Sequence, residues 1–441
     1  MLAVLIAGMV LTALPATADP SRATGWIVVL SQGDPDAAAA RDARAHGAEV
    51  THVYRTVLRG YAARMSAQAA ERVARTAGVA WVERDHAVSL IAHCPRPGHR
   101  HCAPSPSPTP EPDPAPEPDP EPTNDQIVPW GITRLGARDI AGTGAGTHVY
   151  VLDTGIDGDH LDLRANMGAG YAVEPCKGQC TASWSDDHGH GTHVAGTVGA
   201  VDDLGGVVGV APAVTLHAVK VLSRSGSGSL SGVIAGIDWV AGRVSASGRP
   251  AVANMSLGAS GSKTGTCTAT GFTGTGAFHK AMCDARRAGV LFAVAAGNDG
   301  VDAAATTPAA FDDAAMTVSA TSCDVVSNLC AVGSDTWPWW SNYGDDAASW
   351  TSAAAAPVVV AAPGVNILST RMGGGTTVMS GTSMASPHVA GLLARWLATN
   401  SALAGDQFVA ARDALLLTGA STSGWTNTTG RPHAEPFAQA S

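Results

Sequence analysis

Residues 148–156 read HVYVLDTGI, an apolar run that predicts a buried β-strand and ends on an aspartate followed by a turn glycine. Around this stretch, strand-like and helix-like apolar runs alternate through residues 125–441. The strand-like runs cover residues 148–152, 214–221, 251–255 and 290–295, and the helix-like runs cover 194–201, 230–244, 276–288 and 387–399. This alternation predicts an α/β domain with a mostly parallel central sheet between two layers of helices.

Two segments of different character precede this domain. Residues 25–92 predict strands and helices in the order βαββαβ, a small ferredoxin-like α+β domain. In residues 93–124, proline occupies every even position from 104 to 122. Because proline lacks an amide donor, this segment is predicted to be an extended, solvated linker, with a docking motif for a partner as the alternative.

The beginning of the chain carries the pattern of an export signal. An apolar stretch at residues 2–15 is followed by Ala16-Thr17-Ala18, so residues 1–18 are predicted to be a secretory signal peptide. A buried N-terminal helix is the alternative. Export favours disulfide formation among the eight cysteines.

The cysteines allow 105 connectivities, and their clustering favours pairing of neighbours. The expected pairs are Cys94–Cys102, Cys176–Cys180, Cys267–Cys283 and Cys323–Cys330. Residues 93–102 (HCPRPGHRHC) also permit a metal-binding interpretation, although their spacing matches no zinc pattern.

Composition excludes several classes of protein. The 441 residues include 45% hydrophobic and 15% charged side chains, which is enough apolar material for a packed core. The net charge of −10 argues against binding to nucleic acid. No apolar run long enough for a transmembrane helix occurs beyond the start of the chain.

Four reactive side chains lie at predicted strand–helix junctions, where α/β sheets bind their ligands. They are the carboxylate of Asp153, the imidazole of His190, the hydroxyl of Ser383 and the amide of Asn298. A serine nucleophile needs an adjacent base, the base needs an orienting anion, and an amide can donate to an oxyanion. The set predicts acyl transfer.

The contexts of these residues resemble the subtilisin-like serine proteases (subtilases). The motifs are VLDTGI, HGHGTHVAGT and SGTSMASPHVAG, in the order Asp, His, Ser, and residues 341–344 (SNYG) are most similar to the proteinase K-like branch. The resemblance implies that Ser383 is the nucleophile, His190 the general base and acid, and Asp153 its orienting carboxylate. Asn298 and the Ser383 amide would form the oxyanion hole.

The same resemblance implies how substrate binds. Residues 254–258 (NMSLG) match the family's substrate-binding strand, where Ser256, Leu257 and Gly258 would pair with an extended peptide. Ala295 and Gly297 would line the other side of the S1 pocket, for which a broad preference is expected.

Residues 25–92 resemble the inhibitor I9-type propeptide of the family. The resemblance implies a secreted, monomeric serine endopeptidase that is made as a zymogen and inhibited by its own propeptide. Because the linker intervenes, the processing site is left open between residues 91–93 and about residue 125.

Catalysis in the family requires no cofactor, but the resemblance implies a structural Ca²⁺ ion. The expected ligands are the side chains of Gln126, Asp162 and Asp203 and the backbone oxygens of Val201, Gly205 and Val207. A surface loop with spare carboxylates is the alternative. A zinc site made by Asp186, Asp187, His188 and His193 is a weaker alternative for the residues that flank His190.

Two rival functions remain for comparison. An α/β-hydrolase esterase would need G-x-S-x-G around its nucleophile, and Ser383 lies in GTSMA instead. A catalytically silent peptide-binding protein on the same fold is the second rival, and the presence of all four reactive residues argues against it.

Overall fold

The computed structural model describes residues 23–91, 125–139, 142–178, 180–323, 335–344, 358–400, 404–420, 433 and 435–440. The proposed signal peptide and the proline-rich linker lie outside these ranges, as do Cys94, Cys102 and Cys330.

The N-terminal domain has the predicted βαββαβ order. Its elements are β1 (Thr24–Leu30), α1 (Pro35–His46), β2 (Glu49–Tyr54), β3 (Gly60–Met65), α2 (Ala67–Ala74) and β4 (Val79–Arg84). The four strands form one antiparallel sheet in the order β2-β3-β1-β4. Asp34 and Ser66 cap the two helices with their side chains, as expected for residues that accept from free N–H groups in a first turn. A short strand, β5 (Ala87–Leu90), follows and leaves this sheet.

The C-terminal domain contains the remaining elements. In its first half they are α3 (Trp130–Arg134), β6 (His148–Asp153), α4 (Leu161–Arg164), β7 (Tyr171–Ala172), α5 (His190–Gly199), β8 (Thr215–Lys220), β9 (Ser227–Ser229), α6 (Leu230–Ser247), β10 (Ala251–Met255) and β11 (Leu257–Ser260). In its second half they are β12 (Gly265–Thr268), β13 (Gly271–Gly274), α7 (Ala277–Ala288), β14 (Val290–Ala295), β15 (Thr306–Thr307), β16 (Ala315–Cys323), β17 (Asp335–Thr336), β18 (Val358–Pro363), β19 (Ile367–Thr370), β20 (Thr376–Met379), α8 (Thr382–Thr399) and α9 (Phe408–Thr418).

The central sheet of this domain has the predicted parallel character. Its order is β17-β16-β14-β10-β6-β8-β7, with β18 also paired to β16, and every pairing except β16 with β17 is parallel. On one face, Val149 and Val151 of β6 pack in a cluster with apolar residues of α5 and α8. On the other, Tyr150 and Leu152 pack with α6 and α7. This three-layer arrangement brings the carboxyl ends of β6, β10 and β14 to one edge.

The N-terminal sheet packs against the C-terminal domain. Val28 of β1 faces the sheet's own helices, whereas Ile27 and Val29 belong to the cluster that contains α6 and α7. Side chains of a strand alternate between faces, so the fully buried run Ile27–Val29 shows that both faces of this small sheet are covered. None of the helices in the described part of the chain is long and apolar enough to cross a membrane.

Candidate active site

Asp153 and His190 form a buried hydrogen-bonded pair. Asp153 ends β6 and is fully buried, and His190 is the first residue of α5. The Nδ1 atom of His190 lies 2.8 and 3.0 Å from the two carboxylate oxygens of Asp153. Burial alone would lower the pKa of His190, but the charge and hydrogen bond of Asp153, together with the charge of Asp186, raise this pKa above its ordinary value.

Asp186 fixes the start of the helix that carries His190. Its carboxylate accepts from the backbone N–H groups of His188, Gly189 and Thr192 and from two threonine hydroxyls. These are N–H groups that a helix start leaves free, so Asp186 acts as an extended N-terminal cap. Sequence reasoning considered Asp186 only as a metal ligand and missed this role.

His193, one turn further along α5, is engaged elsewhere. It is fully buried, and its Nε2 lies 2.9 Å from the backbone oxygen of Ile367. Burial lowers the pKa of His193 to about 4, so the imidazole is neutral near pH 7. This contact gives His193 a packing role between α5 and β19.

Ser383 lies in the first turn of α8, the helix that the sequence predicted it to open; α8 begins at Thr382, five residues before the apolar run 387–399. The Ser383 hydroxyl donates to the backbone oxygen of Ser256 at 3.4 Å, and no hydrogen bond joins it to His190 among the described residues. This bond is long and therefore weak, so it holds the hydroxyl only loosely.

Pro387 explains how the backbone of Ser383 is held. A proline inside a helix leaves the carbonyl four residues earlier without its N–H donor, and here that carbonyl belongs to Ser383. The hydroxyl of Ser256 donates to it at 2.9 Å and also lies 3.0 Å from the Ser386 hydroxyl. The start of α8 is thereby joined to the segment between β10 and β11.

The side-chain amide of Asn298 is oriented through its oxygen by Thr382 and contacts Ile91, the residue after β5, through its nitrogen. Its Oδ1 accepts from both the backbone N–H and the hydroxyl of Thr382, each at 2.9 Å. Its Nδ2 donates to the backbone oxygen of Ile91 at 2.7 Å. The side chain thus presents a fixed donor to a carbonyl, and Thr382 is a positioning residue that sequence reasoning missed.

Comparison with known proteins identifies the arrangement. The Subtilase family (Peptidase_S8) profile matches residues 144–434, and the Peptidase inhibitor I9 profile matches residues 16–91. The chain belongs to the subtilase family. The subtilases are serine endopeptidases that need no cofactor for catalysis, and this subtilase carries an N-terminal I9 propeptide domain.

Individual relatives agree with this assignment. "Subtilisin-like protease 7" of Trichophyton equinum is 34% identical over 364 residues, which cover 79% of this chain and 71% of that protein. "Alkaline serine protease ver112" of Corniculantispora psalliotae is 35% identical and covers 78% of this chain and 73% of its own length. A solved structure described as a cold adapted subtilisin-like serine proteinase aligns with a TM-score of 0.54 at 34% identity, covering 71% of this chain and 98% of that one.

In this subtilase, the tail of the propeptide domain lies between two strands of the catalytic domain. β5 pairs antiparallel with β11, where Leu90 is opposite Leu257 and Ser89 is opposite Gly258. On its other side, β5 pairs antiparallel with β9. The chain direction then carries Ile91 to the Asn298 amide.

Ala295 and Gly297, predicted to line the S1 pocket, follow the same edge of the sheet. Ala295 ends β14 and is fully buried. Gly297 has a φ of 116°, and a Cβ there would stand 2.1 Å from Asn342 Nδ2. Its N–H donates to the Thr382 hydroxyl at 3.1 Å. Only glycine satisfies both the backbone conformation and this close approach.

Acidic side chains join the propeptide domain to the two helices beneath it. Glu83 accepts from the N–H of Ala277 at the start of α7, and Asp85 accepts from the N–H and hydroxyl of Ser231 at the start of α6. A carboxylate of the C-terminal domain also contacts the propeptide domain. Asp238 of α6 accepts from three consecutive backbone N–H groups of that domain, at residues 55–57. Helix N-termini are favourable positions for negative charge, which is the case for the carboxylates of Glu83 and Asp85.

Lys220, the last residue of β8, is a buried cation. In the pairing of β8 with β6 it lies opposite Asp153. Its Nζ donates to Asp187 Oδ1 and to the Thr154 backbone oxygen, each at 2.6 Å, and to the Leu222 oxygen at 3.0 Å. Buried charges are costly unless they are paired in this way. The sequence feature that could have indicated this buried cation is the lysine at the end of the apolar strand TLHAVK.

The loop predicted to hold calcium brings several oxygen atoms together. Gln126 Nε2 donates to the backbone oxygens of Val201 and Gly205, at 2.9 and 3.4 Å. The buried Asp162 carboxylate accepts from the N–H of Val207, and a Cβ on Gly206 would stand 2.1 Å from one of its oxygens. Burial raises the pKa of Asp162.

Asp203 is more exposed and accepts from the N–H of Gly205 at 3.0 Å. Burial is the main cause of the raised pKa of Asp162, and the negative charge of Asp203 adds to it.

Two of the predicted disulfides are present, Cys176–Cys180 and Cys267–Cys283. Cys323 is also disulfide-bonded, while its predicted partner lies outside the described residues. The first bridge closes a short loop in the segment that leads to Asp186 and Asp187.

Proposed function

We propose that this subtilase is a secreted serine endopeptidase, made as a self-inhibited zymogen, which cleaves proteins through an acyl-enzyme on Ser383. The observation that supports this most directly is the 2.7 Å hydrogen bond from Asn298 Nδ2 to the Ile91 carbonyl oxygen. With β5 paired on both sides, the propeptide tail takes the position and direction of an extended substrate.

The proposed reaction uses the buried pair described above. Ser383 Oγ attacks the substrate carbonyl carbon while His190 Nε2 accepts the hydroxyl proton and later gives it to the leaving amine. The Asp153 carboxylate holds the proton on Nδ1 and stabilises the imidazolium that forms. The raised pKa of His190 makes it a stronger base for this transfer.

Negative charge that develops on the carbonyl oxygen would be stabilised by Asn298 and by the Ser383 N–H at the start of α8. Thr382 holds the Asn298 amide in its donating orientation. The donor is therefore in place before the charge appears, which is the condition for effective electrostatic stabilisation.

Substrates would bind as an added strand along Ser256, Leu257 and Gly258, in the position that β5 occupies. A Cβ on Gly258 would stand 3.4 Å from Ile91 Cδ1, so a larger residue there would press on the side chain before the scissile bond. We expect the S1 pocket to be lined by Gly258, Ala295 and Gly297, to accept a branched aliphatic side chain such as that of Ile91 and to have a broad preference.

The position of Ile91 predicts the processing site. We expect self-cleavage of the Ile91–Ala92 bond, which leaves the proline-rich linker on the catalytic fragment. The measurement is N-terminal sequencing and intact mass of secreted wild type and of Ser383→Ala. Wild type should begin at Ala92, and the variant should retain residues 19–91.

Other results would contradict parts of this proposal. A mature N-terminus near Asp125 would place the cut at the far end of the linker. Identical cleavage of wild type and variant would assign processing to another protease. If neither is cut and neither hydrolyses an unfolded protein, the silent peptide-binding function is favoured instead.

We further propose that the 201–207 loop binds Ca²⁺ as a structural ion. Hard cations prefer carboxylate and carbonyl oxygens. The backbone oxygens of Val201 and Gly205 lie around the Gln126 side chain, and the Asp162 carboxylate contacts the same loop at Val207. The ligand set would be completed by Asp203 and Val207. A bound ion would neutralise the buried Asp162 carboxylate and hold the loop against local unfolding.

This proposal predicts calcium-dependent stability. Saturating Ca²⁺ should raise the Tm of the Ser383→Ala zymogen by about 3–10 °C over protein in chelator. The variant prevents autolysis from obscuring the result. Asp162→Asn should remove most of the shift, whereas Asp202→Asn should keep it, because Asp202 is exposed and pairs with Arg138. Equal shifts in both variants would place the ion elsewhere.

A further inference from the structure

Four potential metal ligands meet on elements other than those that carry Asp153, His190 and Ser383. They are Cys267 of β12, His279 and Cys283 of α7, and Asp313 in the loop before β16. One ligand atom from each lies within 4.8 Å of all the others. His279 and Cys283 are four residues apart on one helix and therefore share a face.

The side chains of this Cys267/His279 cluster are already oriented. His279 Nε2 lies 2.6 Å from Asp313 Oδ1 and 3.9 Å from Cys267 Sγ. The other oxygen of Asp313 is held by the Cys267 N–H at 2.9 Å and by Lys263 Nζ at 3.0 Å. A ligating carboxylate fixed through its second oxygen is typical of metal sites with an ordered outer shell.

Apolar surroundings favour strong coordination at this position. The His279 ring stacks on Phe311 at a centroid distance of 4.3 Å and meets Phe272 edge-on at 5.0 Å. His279 and Cys283 are both fully buried, and Cys267 is partly exposed. The helix side of the cluster is thus buried, and Cys267 is the partly exposed member of the disulfide.

The structure contains the oxidised form of the two thiols, the Cys267–Cys283 disulfide. A dithiol reductant would supply two electrons and two protons, breaking the S–S bond and becoming a disulfide itself. In a tetrahedral zinc site two thiolate sulfurs stand about 3.8 Å apart. Once the S–S bond is broken, rotation of the two side chains would let the sulfurs separate to this distance.

We propose that Cys267, His279, Cys283 and Asp313 bind Zn²⁺ when the protein is reduced, and that disulfide formation expels the ion. Zinc takes tetrahedral sets of sulfur, nitrogen and oxygen ligands, whereas Ca²⁺ selects oxygen alone. Binding displaces two thiol protons. Release occurs when a disulfide oxidant removes two electrons from the thiolates, the Zn–S bonds break and the S–S bond forms.

The test uses Co²⁺ as the metal, because a thiolate-to-cobalt charge-transfer band reports coordination by cysteine and not by the calcium loop. The full-length Ser383→Ala zymogen is reduced and titrated anaerobically. We expect one equivalent of Co²⁺ to bind with a thiolate band that Zn²⁺ abolishes, and no band in the oxidised protein.

Variants separate this cluster from other cysteines. Asp313→Asn and His279→Gln should each weaken Co²⁺ binding at least about tenfold. The double change Cys176→Ser with Cys180→Ser should leave it unaltered, because that disulfide lies outside the cluster. A band that survives Cys267→Ser with Cys283→Ser, or no band at one equivalent, would overturn the proposal.

Folding of the reduced chain provides an independent readout. If reduction unfolds the protein, Zn²⁺ should restore its far-ultraviolet circular dichroism in the parent and fail to do so in Asp313→Asn. Equal recovery in both proteins, or recovery in neither, would also overturn the proposal.

Discussion

Replacing Asp153 with asparagine is expected to slow self-cleavage of the zymogen about 10,000-fold, the loss found when the equivalent aspartate is neutralised in other serine proteases. An asparagine amide can present a donor to His190 Nδ1, which favours the tautomer with its proton on Nε2. That tautomer cannot accept the Ser383 proton. The measurement is the first-order rate of propeptide release by mass spectrometry, starting from purified zymogen.

The pH profile distinguishes this effect from simple misfolding. His190 must be neutral to act as a base, and Asp153 contributes to its raised pKa. Wild type should lose activity as the pH falls through a value above the ordinary 6.5 of histidine. In the variant this acid limb should move to lower pH, because the stabilising carboxylate is gone.

Asp159→Asn is the matched control, since Asp159 is exposed in the loop after β6 and contacts neither His190 nor Ser383 among the described residues. Its rate and acid limb should equal those of wild type. A variant at position 153 that is folded, yet cleaves itself within tenfold of wild type, would remove Asp153 from the proposed mechanism.

The sequence could point to candidate reactive residues because each one lies at a strand end or a helix start. The run HVYVL requires a buried strand, and in a parallel sheet its carboxyl end must lie beside those of its neighbours. Asp153, His190, Ser383 and Asn298 could therefore be placed at one edge before any distance was known. The distances themselves depend on packing across the sheet.

The residues that orient this site could not be predicted in the same way. The sequence suggested Asp186 only as a metal ligand, because its segment is rich in aspartate and histidine. The role of Thr382 depends on residue 298, 84 positions earlier in the chain. Hydrogen bonds between residues so far apart in the chain are set by the tertiary fold, and the local sequence pattern does not indicate them.

The start of α8 shows how a long-range contact compensates for a missing local one. The sequence predicted that Ser383 opens a helix, although the apolar run that marked the helix covered only residues 387–399. The helix begins at Thr382 and continues through Pro387, and Ser256 donates to the Ser383 carbonyl that the proline leaves without an N–H donor. The proline within SGTSMASP thus leaves an acceptor that connects Ser383 to the segment between β10 and β11.

The docking of the propeptide also depends on long-range contacts. The apolar run of β1 predicts a strand, but a run buried on both faces indicates that a second surface covers the sheet. That surface is α6 and α7, whose N-termini receive Asp85 and Glu83. The same contacts direct β5 toward the cleft, so recognition of the helices and occupation of the cleft are parts of one interface.

Replacing Asn298 with leucine is expected to lower kcat about 100- to 1000-fold with little change in KM, the range found for the equivalent donor in subtilisin, a protease of this family. Leucine keeps the approximate volume and removes the donor that now contacts the Ile91 oxygen at 2.7 Å. Because negative charge grows on that oxygen only in the transition state, the loss should fall on kcat. Steady-state kinetics on a short peptide substrate measure the two constants separately.

Thr382 supplies the graded control for this prediction. Thr382→Val removes the hydroxyl that donates to Asn298 Oδ1 but keeps the backbone donor. The loss of one such hydrogen bond should lower kcat about 2- to 10-fold, and Thr382→Ser should restore the wild-type value. If Asn298→Leu raised KM as much as it lowered kcat, the side chain would bind ground state and transition state alike, and its assignment to the oxyanion hole would be wrong.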